Sequence, residues 1–299
     1  MASPLNVTIV GASGSLGSRV LEKLLQSDRF KVQVIRRPSS TKTFPNEVHV
    51  VDAALDSPDV LTEALHGQDA VVSTLGVWQA DQQRHLVDAC IAAGVHRFLP
   101  AEYGADLENA KVQSLPAYKT HVKIREYIIE KSKTCELTYT FMHTGAFLDW
   151  GLEHDFILRI SDYKPVLIDA GKPAFSATTL SSVADAIEGV LIHLNETKNR
   201  PVYIEDIKLS QALVFDLAKQ VAPSKPWEAT VVKLDDLTAE ADQRVSDGKL
   251  DDQTLVPYLY CGLLDPDCGG AFATLDNELL GVKGKTIEDV KKMLRACVV

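Results

Sequence analysis

No stretch of about eighteen consecutive apolar residues occurs, so nothing in the sequence reads as a membrane-spanning helix. Positive charge is the scarcer sign. Lys and Arg number 31 against 41 Asp and Glu, giving a net charge of -10 that makes a nucleic-acid partner a poor match. Cysteine is sparse as well: Cys90, Cys135, Cys261, Cys268 and Cys297 are odd in number, scattered and without a C-x-x-C pair. That pattern excludes a disulfide framework and a metal-ligand set, and it fits reduced thiols in a cytoplasmic protein. The first strand signal starts at Val7, which leaves no room for a cleavable leader and supports the same cytoplasmic expectation. No repeat or low-complexity linker interrupts the chain. What is present is 299 residues, 45% hydrophobic and 24% charged, enough for one large domain or two.

The most informative segment is Val7-Thr-Ile-Val10-Gly11-Ala-Ser13-Gly14-Ser15-Leu16-Gly17, followed by the helix-forming run Arg19 to Gln26. A buried parallel strand runs into a glycine-rich turn and then a helix. Gly11 permits the turn, Gly14 lets backbone amides approach a diphosphate, and Gly17 lets the helix pack closely on the sheet. The helix start then offers unpaired amides and a positive dipole end to an anion. The second strand, Phe30 to Ile35, ends at Arg36-Arg37, where many dinucleotide-binding chains carry a carboxylate. Guanidinium groups there suit a ribose 2'-phosphate, so the expected cofactor is NADPH.

Strands at Val48–Val51, Asp69–Leu75 and Val95–Pro100 alternate with helices at Asp59–Leu65 and Ala80–Ala93. Such alternation predicts an α/β fold, a Rossmann-like doubly wound parallel sheet over residues 1-150 that binds its ligand at the carboxyl ends of the strands. Thr74-Leu75-Gly76 and Ala101-Glu102-Tyr103-Gly104 fall at those ends, beside the cofactor. Residues 151-299 are expected to form a smaller α/β portion, packed on the first, that binds the substrate.

Ala117 to Glu130 reads as a helix whose Ala117, His121, Ile124 and Ile128 share an inward stripe, while Lys119, Lys123, Glu126 and Glu130 face water. His121 therefore lies on the first turns, near the expected nicotinamide, where an imidazole can deliver a proton as hydride arrives at a conjugated acceptor. Tyr127 and Lys131 match a Tyr-x-x-x-Lys pair, but they sit about 9 Å further down the helix and are read as coincidence. In the second half, Thr179–Leu194, Gln211–Val221 and Thr286–Ala296 read as amphipathic helices. Phe147, Trp150 and Phe156 follow the sixth strand, and the stretch from Asp252 to Gly270 places Tyr258 and Tyr260 among turn residues. These rings would wall a pocket for a flat apolar ligand.

Gly11 to Gly17, Val71 to Gly76, Arg97 to Gly104, Tyr118 to Glu130 and Tyr139 to Phe147 occur in this order over about the first 150 residues. In these segments the chain resembles the NmrA-like, isoflavone-reductase-like branch of atypical short-chain reductases, in its fungal form. The resemblance implies an NADPH-dependent reductase of small aromatic or conjugated natural products. It assigns the 2'-phosphate contact to Arg36, helped by Lys42, and the loop beside the cofactor to Thr74, Leu75 and Gly76. It places Thr144, Gly145 and Phe147 beside the nicotinamide. The family's general acid is a lysine, and its position falls on His121. Neither Lys119 nor Lys123 can rotate into that place, because helical residues two apart point about 200° apart. The alternatives are a dinucleotide-sensing regulator without turnover, and a non-reductive isomerase or cyclase built on the reductase cleft. The sequence leaves monomer and homodimer open.

Overall fold

The computed structural model describes residues 5–298. Strands β1 (Leu5–Val10), β2 (Phe30–Arg36), β3 (His49–Asp52), β4 (Ala70–Ser73), β5 (Arg97–Leu99), β6 (Tyr103–Gly104) and β7 (Thr138–His143) alternate with helices α1 (Ser15–Leu25), α2 (Pro58–Leu65), α3 (Gln83–Ala93), α4 (Ala110–Ser114) and α5 (Lys119–Ser132). Then follow β8 (Ala146–Phe147), α6 (Leu148–Glu153), β9 (Val166–Ile168), β10 (Ala174–Thr178), α7 (Leu180–Ile192), β11 (Arg200–Tyr203), β12 (Ile207–Ser210), α8 (Gln211–Val221), β13 (Thr230–Val232), α9 (Leu234–Ser246), α10 (Asp252–Leu264), α11 (Asn277–Leu280) and α12 (Ile287–Val298). The main sheet has the order β11-β7-β5-β4-β1-β2-β3, with β6 added on β7, and every neighbouring pair is parallel. This is the doubly wound, Rossmann-like sheet that the alternation of elements predicts.

Successive residues of a strand point to opposite faces, and the central strands are apolar on both. Val7 and Ile9 of β1 pack with Val20 and Leu24 of α1 and Ile187 of α7, whereas Val10 packs with Leu61, Leu86 and Ile128 on the other face. Two cores thus clamp one sheet. Arg97 at the start of β5 is buried in this frame, its guanidinium donating to the hydroxyls of Thr138, Thr140 and Thr197 and to the Leu194 carbonyl. Burial without a carboxylate partner pulls its pKa down to about 10.

The sheet does not end at residue 150. β11 completes it beside β7, and α7 packs on α1, so the two-part division expected at that position does not follow the architecture. A β-strand edge at β7 needed a partner, and the chain returns from the smaller portion to supply one. That smaller portion contains the sheet β12-β10-β8, the pair β13-β9 and the helices α6, α8, α10 and α12 around a third core.

The stretch from Asp252, expected among turns, is a helix. Asp251 caps α10 by accepting the Thr254 amide at 3.0 Å, and Pro257 sits inside it at the loss of one backbone donor. Conversely, the helix expected from Ala117 begins with a 3-10 turn at Pro116–Tyr118 before α5. Among the described residues no helix is long and apolar enough to cross a membrane.

Candidate functional site

At the carboxyl ends of β1, β4, β5 and β7 the sheet opens into a cavity of about 640 Å³. Residues that the sequence placed at the site line it: Gly14, Ser15, Leu16, Thr74, Leu75, Gly76, Ala101, Glu102, Tyr103, Gly104, His121, Gly145, Phe147, Trp150 and Phe156. One end is backbone. Gly11 turns the chain off β1 with φ of +92°, its carbonyl accepts the Gly14 amide at 3.0 Å, and α1 starts with no side-chain cap. The first-turn amides of α1 are therefore left for a ligand. Thr74 ties the opposite lip to β1, donating from its amide and hydroxyl to the Val10 carbonyl at 2.8 and 3.0 Å.

The other end is side chains. Trp150 and Phe156 form one wall, with Phe156 stacked on Tyr260 at 5.1 Å between ring centroids. The facing wall joins Ala117, which the helical period had placed inward, to residues not legible in the sequence: Tyr118 before α5, and Leu255, Val256, Leu259 and Leu263 from α10. The only available signal was the i, i+4, i+8 spacing of Leu255, Leu259 and Leu263, masked by Pro257. The rim is closed by a bond from the Trp78 indole to the Asp252 carboxylate at 3.2 Å.

His121 projects into this cavity from the first turns of α5. Neither ring nitrogen has a hydrogen-bond partner among the described residues, and Nδ1 is buried. The Tyr118 ring stands edge-on at 6.5 Å. Burial lowers the His121 pKa, so the imidazole is neutral at neutral pH. Lys119 and Lys123 are exposed on the far side of the helix, as their spacing predicts. Tyr127 and Lys131 lie outside the cavity, on the face toward Asp88.

Glu102 lines the cavity, but its carboxylate is engaged. Arg125, a residue the helical pattern did not single out, is buried in α5 and donates to Glu102 at 2.6 Å and also to Glu108. Burial pushes the Glu102 pKa up against the opposing pull of Arg125. His143, fully buried behind this pair, donates from Nδ1 to the Ala105 carbonyl at 2.9 Å. Its pKa is lowered by burial.

Several anticipated residues stand elsewhere. Tyr258 points away from the cavity, is 2% exposed and donates to Asp242 at 2.6 Å. Tyr260 backs Phe156 and donates to its carbonyl at 2.8 Å, so it supports the wall without lining it. The helical turn of α10 puts both tyrosines off the face occupied by Leu255 and Leu259. Thr144 is buried, with its hydroxyl donating to the Gly145 carbonyl. Ser13 is exposed, and Gly11 and Gly17 form the turn and the helix–sheet contact behind the lining. Arg36, Arg37 and Lys42 lie beyond the cavity, at the end of β2. Arg36 forms a two-pronged pair with Asp52 at 2.7 and 2.8 Å and donates to the Lys42 carbonyl at 2.6 Å. That pairing holds the Asp52 carboxyl below its ordinary range.

Comparison with known proteins gives a consistent picture. A model of the NmrA-like family matches residues 5–151. The oxidoreductase aprR of Aspergillus flavus is 30% identical over 96% of this chain and 97% of its own length. The oxidoreductase poxI of Penicillium oxalicum is 27% identical, over 82% of this chain and 78% of its own. Among solved structures, the leucoanthocyanidin reductase–NADPH complex of Vitis vinifera superposes with a TM-score of 0.78 at 19% identity, covering 97% of this chain and 99% of that one.

Proposed function

The chain belongs to the NmrA-like family, and from that premise we propose that it is an NADPH-dependent reductase of a small aromatic or conjugated molecule. One observation carries the reading: a single cavity joins an uncapped helix start on a glycine turn to an aromatic pocket that contains one unpartnered imidazole. Relatives named as oxidoreductases, and a neighbour of the same fold solved with NADPH, support it.

The residues present fit a dinucleotide. The uncapped amides of α1 suit a diphosphate, and an alanine Cβ at Gly14 would meet only the Gly11 carbonyl, at 3.4 Å, so the backbone is open to close approach. Of the five N–H donors of Arg36, three are taken by Asp52 and the Lys42 carbonyl, which fixes the fork and leaves two for a 2'-phosphate. Arg37 adds an exposed positive charge next to it. When bound, the reduced dinucleotide supplies a hydride.

The chain's own residues then orient the acceptor and handle any proton. Trp150, Phe156 and the leucines of α10 hold a flat ring and exclude water. His121 is the group placed to exchange a proton with a substrate heteroatom, and its lowered pKa means that only a small fraction is charged for that task at neutral pH. The test is calorimetry with NADPH and NADH, together with NADPH consumption across a panel of enones and quinone methides. Tighter binding of NADPH and turnover of at least one acceptor are expected. Tight binding with no turnover of any acceptor would identify a dinucleotide sensor instead, and absence of binding would remove the reading altogether.

A further inference from the structure

Two features of the cavity do not suit the neutral enones with which a reductase is ordinarily assayed. A neutral acceptor that takes up hydride must also gain a proton, and the site holds no group charged to give one. His121 has no carboxylate to keep it protonated, and Glu102 is bound to Arg125. In addition, among the described residues that line the cavity there is no lysine or arginine, while the exposed carboxylate of Asp252 stands at the rim. The walls include the aromatic rings of Tyr118, Trp150 and Phe156, side chains whose π-systems favour a desolvated cation.

We propose, on the reading that this is an NADPH-dependent reductase, that its acceptor is a conjugated organic cation such as an aromatic iminium. The iminium carbon takes a hydride from the bound dihydronicotinamide, and the C=N electron pair moves onto nitrogen and discharges the cation. The nicotinamide ring is left oxidised and positively charged. Two electrons move, charge is conserved, and no proton is transferred, so the missing acid is not needed. Asp252 and the aromatic faces select the charge, and His121 serves as a neutral wall.

Binding tests the selection without turnover. By calorimetry on the full chain, N-methylquinolinium should bind about tenfold or more tightly than quinoline, which is neutral at pH 7.5. Asp252→Asn, an exposed change that can keep the Trp78 bond, should remove most of that preference while leaving quinoline affinity unchanged. In the activity arm, wild type with NADPH should reduce N-methyl-3,4-dihydroisoquinolinium with a kcat that stays within about threefold between about pH 6.5 and 8, because no proton is transferred. Equal or tighter binding of quinoline, indifference to Asp252→Asn, or an iminium kcat that falls about tenfold per pH unit as pH rises would each overturn the proposal. Reduction of neutral enones but not of the iminium would overturn it and leave the reductase reading standing. Cation-selective binding with no NADPH oxidation by any acceptor would overturn the reductase reading and, with it, the iminium step.

Discussion

Gly17 and Gly14 lie three residues apart in one turn, and the structure assigns them opposite sensitivities to the same substitution. A Cβ at Gly17 would fall 2.2 Å from the Gly11 carbonyl oxygen, 2.6 Å from Thr74 Oγ1 and 2.8 Å from Ala12 Cα. The Gly11 carbonyl cannot retreat, because it accepts the Gly14 amide at the end of the central strand. Gly17→Ala must therefore lift α1 off the sheet by roughly 1 Å and loosen Leu16, Val20 and Leu24 in the core behind it. Overpacking of this kind costs about 1–3 kcal/mol, against which the helix preference for Ala over Gly returns about 0.5–1. For a chain of this size the melting temperature should fall by about 2–8 °C. Gly14→Ala meets only the Gly11 carbonyl, at 3.4 Å, in an extended N-cap conformation open to any residue. Its stability should change by less than about 1 kcal/mol. The new methyl group would, however, stand on the lining beside the uncapped amides, so NADPH binding should weaken by at least about tenfold. Thermal melting and calorimetry on the two variants separate the effects. The reasoning fails if Gly17→Ala melts like wild type, or if Gly14→Ala binds NADPH undiminished.

Arg36→Ala should weaken NADPH on the order of 10- to 100-fold and leave NADH nearly unchanged, since it removes the fork and frees the Asp52 carboxylate beside the phosphate. Equal losses for both cofactors, measured by calorimetry, would count against that contact. For any neutral acceptor that is turned over, kcat/KM should decline about tenfold per pH unit above the depressed His121 pKa, from a point below 6.5, and His121→Ala should cut kcat by about 100-fold with NADPH affinity intact. A flat pH profile with such an acceptor would show that the proton comes from elsewhere. The stability of the fold should fall on acidification below about pH 6.5. His121 and His143 have folded pKa values below their ordinary one, so the unfolded chain binds more protons there and stability is lost as pH drops. The slope is at most about 1.4 kcal/mol per pH unit for each histidine. Denaturant midpoints at pH 7.5 and 5.5 check the sign, and replacing His143 by Gln should flatten the dependence.

The glycine-turn end of the cavity was legible because its requirements are written in backbone terms. A tight turn, a close approach and a helix start each need a particular residue type at a fixed offset, and Gly11, Gly14 and Gly17 meet those needs within seven positions. The inward stripe of α5 was legible for a similar reason, since Ala117, Ile124 and Ile128 are all buried as the period requires. Arg125 broke the pattern. A charged residue on a helix is ordinarily read as solvated, and only the distant Glu102 and Glu108 make its burial affordable. Tyr258 and Tyr260 were misplaced for a different reason. Pro257 signals a break locally, whereas the packing of α10 against Tyr118 and the capping by Asp251 carry the helix through it. The role of β11 was invisible for the same cause: four residues of strand gain their meaning only from the open edge of β7.

This division bears on what the fold permits to vary. On the proposed reading the cofactor end is made of amides, a turn and one guanidinium fork, so few substitutions there should leave binding intact. The acceptor end is made of side chains from α10, the turn before α5 and the segment after β8, elements brought together from positions 117 to 263 and held by separate contacts. Gly262 illustrates the coupling, since a Cβ there would fall 2.7 Å from the Tyr118 hydroxyl. A larger residue at that position would push Tyr118 toward His121 and narrow the pocket without touching the dinucleotide end. Changes at 118, 255, 259 and 262 should therefore alter which acceptor is accepted while NADPH affinity holds.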